Sequence, residues 1–163
     1  MSDLEAAKAA LHRAADSLGD ASWNKASANP AWTNGQVMFH VLLAFMLLPY
    51  LVPLARLFGA LPPSGSKPFA AVLDLATPLF NWINGQGPRG AGTVFSRARL
   101  IRRYDALHDY AFRAVVKTRP ADLQRGMYYP RRWDPMFSGY MTMGDVLRYP
   151  LIHMTHHLGQ LAP

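Results

Sequence analysis

Apolar residues recur every three or four positions near the start of the chain, which is the pattern of an amphipathic helix. The stripe consists of Leu4, Ala7, Leu11, Ala14, Ala15 and Leu18. It predicts a first helix over residues 3–18. Gly19 is expected to end that helix, because glycine readily adopts the left-handed backbone found just beyond helix C-termini.

A second helix is predicted to begin near Asn34. Thr33 and Gln36 have the spacing of a capping box, in which each side chain bonds the backbone N–H of the other residue. The 19 residues from Val37 to Ala55 then contain no lysine, arginine, aspartate or glutamate. An apolar run of this length is long enough to cross a membrane.

Two features of this run favour a buried central helix over a membrane span. Pro49 and Pro53 interrupt it, and His40 would lie in lipid. The sequence leaves open that residues 37–60 contact a membrane or a partner at one end. Pro49 is expected to kink or end the regular part, because it lacks an N–H and clashes with the preceding turn.

The connection after this helix, roughly residues 59–93, is the longest in the predicted fold. It contains a linker over residues 61–68 and one extra short helix over residues 69–83. Residues 84–92 are predicted to form a glycine-rich turn. They lack the Gly-Lys-Ser/Thr sequence of a phosphate-binding loop and the strand that precedes a dinucleotide-binding loop.

Two further helices complete the predicted fold. The third covers residues 94–118, and the fourth begins at Thr142, with Asp145 as its capping-box partner and Pro150 inside it. Between them, residues 119–141 are predicted to be irregular and rich in aromatic side chains. Such a loop either lines a site or only covers the core.

Composition limits the chemistry open to this chain. Its 163 residues are enough for one domain with a substantial core, and its formal charge is +7. It has no cysteine, which excludes disulfides, thiolate metal ligands and a cysteine nucleophile. The N-terminus does not resemble a signal peptide, so we expect a cytoplasmic protein. Arginines cluster in the third helix without a nucleic-acid-binding motif, and we expect no nucleic-acid partner.

Three of the six histidines, His153, His156 and His157, lie within five residues of one another. His153 and His157 are four residues apart, so a helix places them on one face, at a spacing that lets two imidazoles bind one metal ion. The same pattern also occurs among ordinary surface histidines. A metal site therefore requires a third ligand from elsewhere in the chain.

His40 is the candidate third ligand. It lies roughly 9 Å from the start of the second helix, whereas His157 lies roughly 23 Å from the start of the fourth. The two meet at one end of a bundle if these helices are antiparallel. A connection that crosses the bundle makes helices two and three parallel, which gives an up-down-down-up order. Three imidazoles with open coordination positions are typical of a catalytic metal site.

Two motifs carry these residues: Trp32-Thr33-x-x-Gln36-Val37-x-x-His40 and His153-x-x-x-His157-Leu-Gly-Gln160-Leu161. Together they resemble the DinB-like (DinB/YfiT-like) superfamily. The resemblance implies an all-α, up-down-down-up four-helix bundle over residues 1–163. It also implies a divalent metal, most often zinc or nickel, held by His40, His153 and His157. Its relatives include thiol-dependent transferases and hydrolase-like proteins, which implies a small-molecule substrate and a low-molecular-weight thiol as cosubstrate.

Other candidates and alternatives stay open. His108 is a candidate acid or base, although it also suits a structural hydrogen bond, and Arg131 or Arg132 is a candidate for binding an anionic substrate group. The very apolar second helix and the long insert depart from the usual family pattern, and they suggest a larger apolar pocket or a peripheral contact with a membrane or a partner. Alternative functions are a non-enzymatic module that binds an apolar ligand and a membrane-associated helical module. We also expect a homodimer, because exposed apolar patches usually mark interaction surfaces.

Overall fold

Six helices make up most of the chain in the computed structural model, which describes residues 2–162. In chain order they are α1 (Ser2–Trp23), α2 (Asn34–Gly59), α3 (Lys67–Leu75), α4 (Thr77–Val94), α5 (Arg97–Lys117) and α6 (Met143–Leu158). Two short strands, β1 (Gly126–Tyr128) and β2 (Tyr140–Thr142), and two 3-10 turns, Pro63–Ser66 and Pro120–Asp122, lie between them. Helices α1, α2, α5 and α6 form a bundle, which confirms the predicted all-α fold class.

Helix α2 lies at the centre and packs against α1, α4, α5 and α6. Its residues Val41, Leu42, Phe45 and Leu48 have no exposed surface. Within residues 2–162 it is the one helix whose length and composition would allow it to cross a membrane, although the core helix of a soluble protein passes the same test. Because 61% of its most apolar stretch is buried inside the bundle, most of its apolar side chains contribute to the core.

Aromatic contacts fix the relative direction of α2 and α5. Phe39 packs on Phe95 at a ring-centroid distance of 5.2 Å, and Phe45 packs on Tyr104 at 4.9 Å. The residue numbers increase together along both helices, so the two helices are parallel. The long connection between them therefore crosses the bundle, as predicted.

The other two bundle helices run in the opposite direction. Early residues of α1 bond late residues of α5, and the pairs are Leu4 with His108 and His12 with Asp105. Helix α6 is antiparallel to α2, because Ala162, beyond the end of α6, exchanges two hydrogen bonds with Asn34 at the start of α2. The order is therefore up, down, down, up, which agrees with the prediction.

The connection from α2 to α5 contains two helices, α3 and α4, where the sequence predicts one short helix and a glycine-rich turn. Pro78 lies in the first turn of α4, where its missing N–H breaks no hydrogen bond, so it begins a helix. The predicted turn over residues 84–92 is wrong, since these residues are helical. One of these glycines serves close packing: an added Cβ on Gly92 would lie 2.6 Å from Cγ of Gln36, so glycine lets α4 approach α2 closely.

Helix breakers in α1 and α2 have milder effects than their residue types predict. Helix α2 continues through Pro49 and Pro53 to Gly59, so it does not end at Pro49. Buried residues on both sides of the prolines, among them Leu48, Leu51 and Val52, hold this part of the helix against the core. Gly19 adopts a left-handed conformation, with φ of 54°, but the chain resumes helical geometry as far as Trp23.

The segment over residues 119–141, predicted to be irregular, contains β1 and most of β2, which pair with each other just before α6 begins. Strands β1 and β2 are antiparallel, with Met127 opposite Met141. Glycine is required at position 126, because an added Cβ would collide with the carbonyl oxygen of Met141. The loop between the strands returns to the bundle, where Phe137 packs on Tyr149 of α6 at 4.9 Å between ring centroids. The sheet thereby anchors an aromatic loop against α6.

Gly92→Ala should destabilise the protein by about 1–3 kcal/mol, because the new methyl group meets Gln36 and forces α4 away from α2. Gly90→Ala is the matched control in the same helix. Nothing lies within 4 Å of its added Cβ, so alanine there should be neutral or stabilise by up to about 1 kcal/mol. Urea unfolding followed by circular dichroism measures both variants, and equal stabilities would contradict the close packing of α4 on α2.

Candidate metal centre

Local sequence fixes the position of His40 in the second turn of α2. The Thr33 hydroxyl accepts a hydrogen bond from the Gln36 N–H, and the Gln36 side-chain oxygen accepts one of 2.9 Å from the Thr33 N–H. This is the predicted capping box, and it sets where the helix begins. His40 consequently lies within the bundle, with 4% of its surface exposed.

His153 and His157 come from the last two turns of α6. That helix begins at the predicted capping box between Thr142 and Asp145. His153 is 4% exposed and His157 is 9% exposed, whereas His156 between them is exposed. The four-residue spacing therefore buries two of the three clustered histidines on one face of the helix.

The three buried imidazoles meet at one end of the bundle. Their ring centroids are 4.4 Å apart for His40 and His157, 4.8 Å for His40 and His153, and 4.5 Å for His153 and His157. Ligand nitrogens from all three rings lie within 4.8 Å of one another. The structure thus brings together the residues that the sequence predicts as ligands, close enough to share one ion.

Burial keeps these rings neutral near pH 7. The pKa of His40 falls from its usual 6.5 to about 3, mainly because burial disfavours the charged imidazolium and also because His153 and His157 lie beside it. Burial is also the main cause that lowers the pKa of His153 and that of His157. A neutral imidazole has a free lone pair, and this is the form that binds a metal.

Gln160 orients the ring of His157. The Nδ1–H of His157 donates to Oε1 of Gln160 at 2.9 Å, which leaves Nε2 as the nitrogen with a free lone pair. The Asn29 side-chain amide donates to the same Oε1 at 3.1 Å. The Ala28 N–H donates to the Gln160 backbone carbonyl at 2.8 Å. An outer hydrogen bond of this kind fixes the tautomer and the orientation of a ligating histidine.

Two ring nitrogens in the cluster have no partner from the protein. Nδ1 of His40 and Nδ1 of His153 are buried and form no hydrogen bond within residues 2–162. Buried polar atoms are rarely left unsatisfied, so two at one place indicate a missing ligand. Three neutral imidazoles are a donor set that suits zinc, nickel and related divalent ions. The residues present therefore fit a divalent transition metal.

Asp134 places a carboxylate beside the cluster. Its Oδ2 accepts a hydrogen bond of 2.8 Å from the Tyr149 hydroxyl and lies 3.9 Å from Nε2 of His153. Its Oδ1 accepts a hydrogen bond of 2.8 Å from the Met136 N–H. Burial, together with the nearby Asp134 charge, raises the pKa of Tyr149, so this hydroxyl stays protonated and keeps donating.

Sequence reasoning misses Asp134 for a physical reason. The residue lies in the irregular part of the loop between β1 and β2, where no helical or strand period indicates which side chains face the core. Only the pairing of the two strands and the packing of Phe137 on Tyr149 return this loop to α6. No local signal in the sequence identifies it.

Trp32 provides an apolar cover for the histidines. Its ring centroid lies 4.5 Å from that of His40 and 6.3 Å from that of His157. The loop that carries it is held by Ser27, whose hydroxyl donates to the Trp32 carbonyl at 2.8 Å. The first residue of the Trp32-to-His40 motif thus touches two of the three candidate ligands.

The remaining candidate residues do not join the cluster. His108 is buried in α5, where its Nε2–H donates to the Leu4 carbonyl at 3.0 Å, which is a structural hydrogen bond between helices. Arg132 forms an ion pair of 2.7 Å with Asp74. Arg131 donates to a backbone carbonyl of its own loop at 3.2 Å. Within residues 2–162, no hydrogen bond or ion pair joins either arginine to the three histidines.

A sizeable hollow of about 580 Å³ lies elsewhere, between α1 and α6. It is lined mainly by alanine, leucine and isoleucine, with Arg13 and Arg148 among its few charged residues, and it contains none of the three histidines. We assign the candidate site to the histidine cluster, because converging ligand atoms indicate specific chemistry and an apolar groove alone does not.

The metal-free protein should lose stability as the pH falls below 6.5. The unfolded chain binds a proton at His40 from pH 6.5 downward, whereas the folded protein resists it until about pH 3, so acid favours unfolding across this range. This one group contributes at most about 1.4 kcal/mol per pH unit. Thermal unfolding between pH 7.5 and 4.5 should therefore show a shallower loss for His40→Leu than for the wild type. His12→Gln, which removes the ion pair with Asp105, is the control. Identical slopes of unfolding temperature against pH for the wild type and His40→Leu would contradict the assignment.

Comparison with known proteins identifies the family of this chain. The sequence model of the DinB superfamily matches residues 3–161, which is nearly the whole chain. Curated proteins gave no significant match, and neither did solved structures. The matched region includes Trp32, Gln36 and all three clustered histidines. The chain therefore belongs to the DinB superfamily.

Proposed function

We propose that this protein is a metal-dependent enzyme that acts on a small molecule, in a thiol-dependent transfer or a hydrolysis. The observation that supports this most directly is the cluster of His40, His153 and His157, whose ligand nitrogens lie within 4.8 Å of one another. Three protein ligands leave coordination positions open for a water or a substrate, which is the usual arrangement of catalytic sites.

A zinc or nickel ion held by these histidines would activate a water or a thiol by lowering its pKa, and would polarise a substrate oxygen. The chain has no cysteine, so a thiol in the reaction has to come from a cosubstrate. Gln160 keeps the His157 ring oriented for binding through the 2.9 Å hydrogen bond to Nδ1. Trp32 and the burial of the rings limit the access of bulk water to the site.

In this proposal Asp134 accepts the proton that the activated water or thiol releases. Its Oδ2 lies 3.9 Å from Nε2 of His153, and the Tyr149 hydroxyl holds the carboxylate in place. The hydrogen bond that the Tyr149 hydroxyl donates to Asp134 fixes the carboxylate on the side of the cluster where α6 meets the loop. Each carboxylate oxygen accepts one hydrogen bond, and Oδ2 is the oxygen on the side of His153, so in this proposal Oδ2 is the proton acceptor.

A second function is favoured by one observation, the hollow of about 580 Å³ between α1 and α6. Its apolar lining suits a non-enzymatic module that binds an apolar ligand. This alternative needs no metal. It would gain support if metal-free, fully folded protein bound one equivalent of an apolar fluorescent probe and Ile152→Arg abolished that binding.

Purified, untagged protein should contain about one equivalent of a divalent transition metal by elemental mass spectrometry. His40→Ala and the His153→Ala/His157→Ala double variant should each lose it, because each removes ligands from the set. His156→Ala is the matched control, since this exposed neighbour lies outside the cluster, and it should keep the metal. Metal at about 100 times its dissociation constant should also stabilise the folded protein by about 2.7 kcal/mol.

Unchanged metal content in His40→Ala would show that the three-histidine site is wrong. A wild type that stays metal-free after incubation with zinc and with nickel would leave the bundle fold standing but refute the proposed enzyme. It would then favour the apolar-ligand alternative.

Asp134→Asn should retain the metal and lower turnover by about 100- to 10,000-fold, since removal of a proton acceptor has effects of this size. Tyr149→Phe removes only the hydrogen bond that positions the carboxylate and should have a smaller effect, of about tenfold. The assay is the reaction found by screening hydrolysis and glutathione-type thiol transfer with metal-loaded protein. Full activity in Asp134→Asn with a normal metal content would exclude Asp134 as the proton acceptor.

A further inference from the structure

Helices α3 and α4 present an apolar face to solvent. Val72 and Leu75 of α3 and Leu79, Trp82 and Ile83 of α4 are exposed, and together they form the apolar stripe. Leu75 is 82% exposed and Trp82 is 64% exposed. Several large apolar side chains exposed on neighbouring helices form a patch of the kind that usually marks a contact.

The core does not need this face, because other residues attach both helices to the protein, and in α3 Phe69 stacks on Phe58 of α2. Phe80 stacks on Trp133 with ring centroids 4.3 Å apart, and Thr77, Pro88 and Gly92 are buried. The outward stripe is therefore a second apolar face in addition to the one that the fold uses. Helices that only cover a core have a polar outer side instead.

The charge around this face is positive. Between Asp20 and Asp105 the sequence contains a single acidic residue, Asp74. The Asp74 carboxylate is neutralised by the guanidinium of Arg132, with contacts of 2.7 and 3.1 Å. Lys67, Arg131 and Arg132 line one surface hollow beside α3. Basic side chains therefore lie beside α3, one of the two helices that carry the apolar stripe, and the acidic residue of that helix, Asp74, is paired.

We propose that this face of α3 and α4 attaches the protein peripherally to a membrane surface that carries anionic lipid headgroups. The apolar side chains would enter the boundary between headgroups and acyl chains, where tryptophan is especially favourable. Lys67 and Arg131 would contact the anionic headgroups, each adding to the attraction within a Debye length of the surface. This attachment is independent of the proposed metal chemistry.

A second copy of the chain fits this face less well. A two-fold contact places the same patch on both partners, so Lys67 and Arg131 of each copy would approach like charges without an acidic partner in the patch. An anionic membrane surface would supply the negative charge that pairs with these basic side chains. The charge pattern therefore favours a lipid surface over self-association.

The test is flotation of the full-length protein with vesicles. The wild type should float with vesicles that contain about 30% phosphatidylglycerol in phosphatidylcholine, and it should float at least about fivefold less with pure phosphatidylcholine. Raising the salt to about 0.5 M should weaken the binding, because it screens the basic groups. The bound fraction of Leu79→Ser/Trp82→Ser should be at least about fivefold lower than that of the wild type. The same decrease is expected for Lys67→Glu/Arg131→Glu, which leaves the apolar stripe intact.

The matched control is Val116→Ser/Ile152→Ser, which removes exposed apolar side chains of α5 and α6 that are 60% and 55% exposed. It should bind vesicles like the wild type, and circular dichroism checks that each variant is folded. No flotation of the wild type with anionic vesicles would overturn the proposal. So would equal flotation of the Leu79/Trp82 variant and the wild type. A dimer by light scattering that only the Leu79→Ser/Trp82→Ser variant loses, together with no flotation, would assign the face to a second copy instead.

Discussion

Three imidazole rings packed together inside an apolar bundle cannot all carry a proton, since each charge would be buried beside the others. Burial lowers the pKa of His40 to about 3, and it lowers the pKa of His153 and of His157 in the same direction. The surrounding structure supports this neutral state. Trp32 packs on the His40 ring, and Oε1 of Gln160 accepts a hydrogen bond from Nδ1 of His157. A cluster that resists protons but presents lone pairs has the properties that a metal site needs. The carboxylate of Asp134 supplies a negative charge at the edge of the cluster.

The central helix explains how such a cluster is positioned. Helix α2 is apolar on nearly all sides because α1, α4, α5 and α6 surround it. His40 is the titratable side chain in its buried stretch, and it lies where the histidines of α6 meet the helix. The close approach of α4, which Gly92 allows, covers the side of α2 that would otherwise face water. The histidine cluster thus places a polar ring within the most apolar helix of the fold.

Much of the bundle and of the histidine cluster can be predicted from the sequence, because both depend on local patterns. The Thr33–Gln36 and Thr142–Asp145 capping boxes mark helix starts, and a four-residue histidine spacing marks one helix face. Other features depend on tertiary contacts that have no local signal. Residues 84–92 look like a flexible turn by composition, yet they are helical because glycine permits close packing on α2. The strands β1 and β2 exist only through their mutual pairing, and Asp134 reaches the site only through the loop between them.

The hydrogen bond between Asn29 and Gln160 joins residues that are 131 positions apart in the chain. His40 and the two histidines of α6 are almost as widely separated, so the cluster cannot form until α6 has docked on the central helix. Closing such a long loop costs conformational entropy, which the contacts formed on docking have to offset. Partly folded chains therefore present separated histidines with ordinary solvent exposure. Occupancy of the assembled cluster would report that the chain has completed its folding.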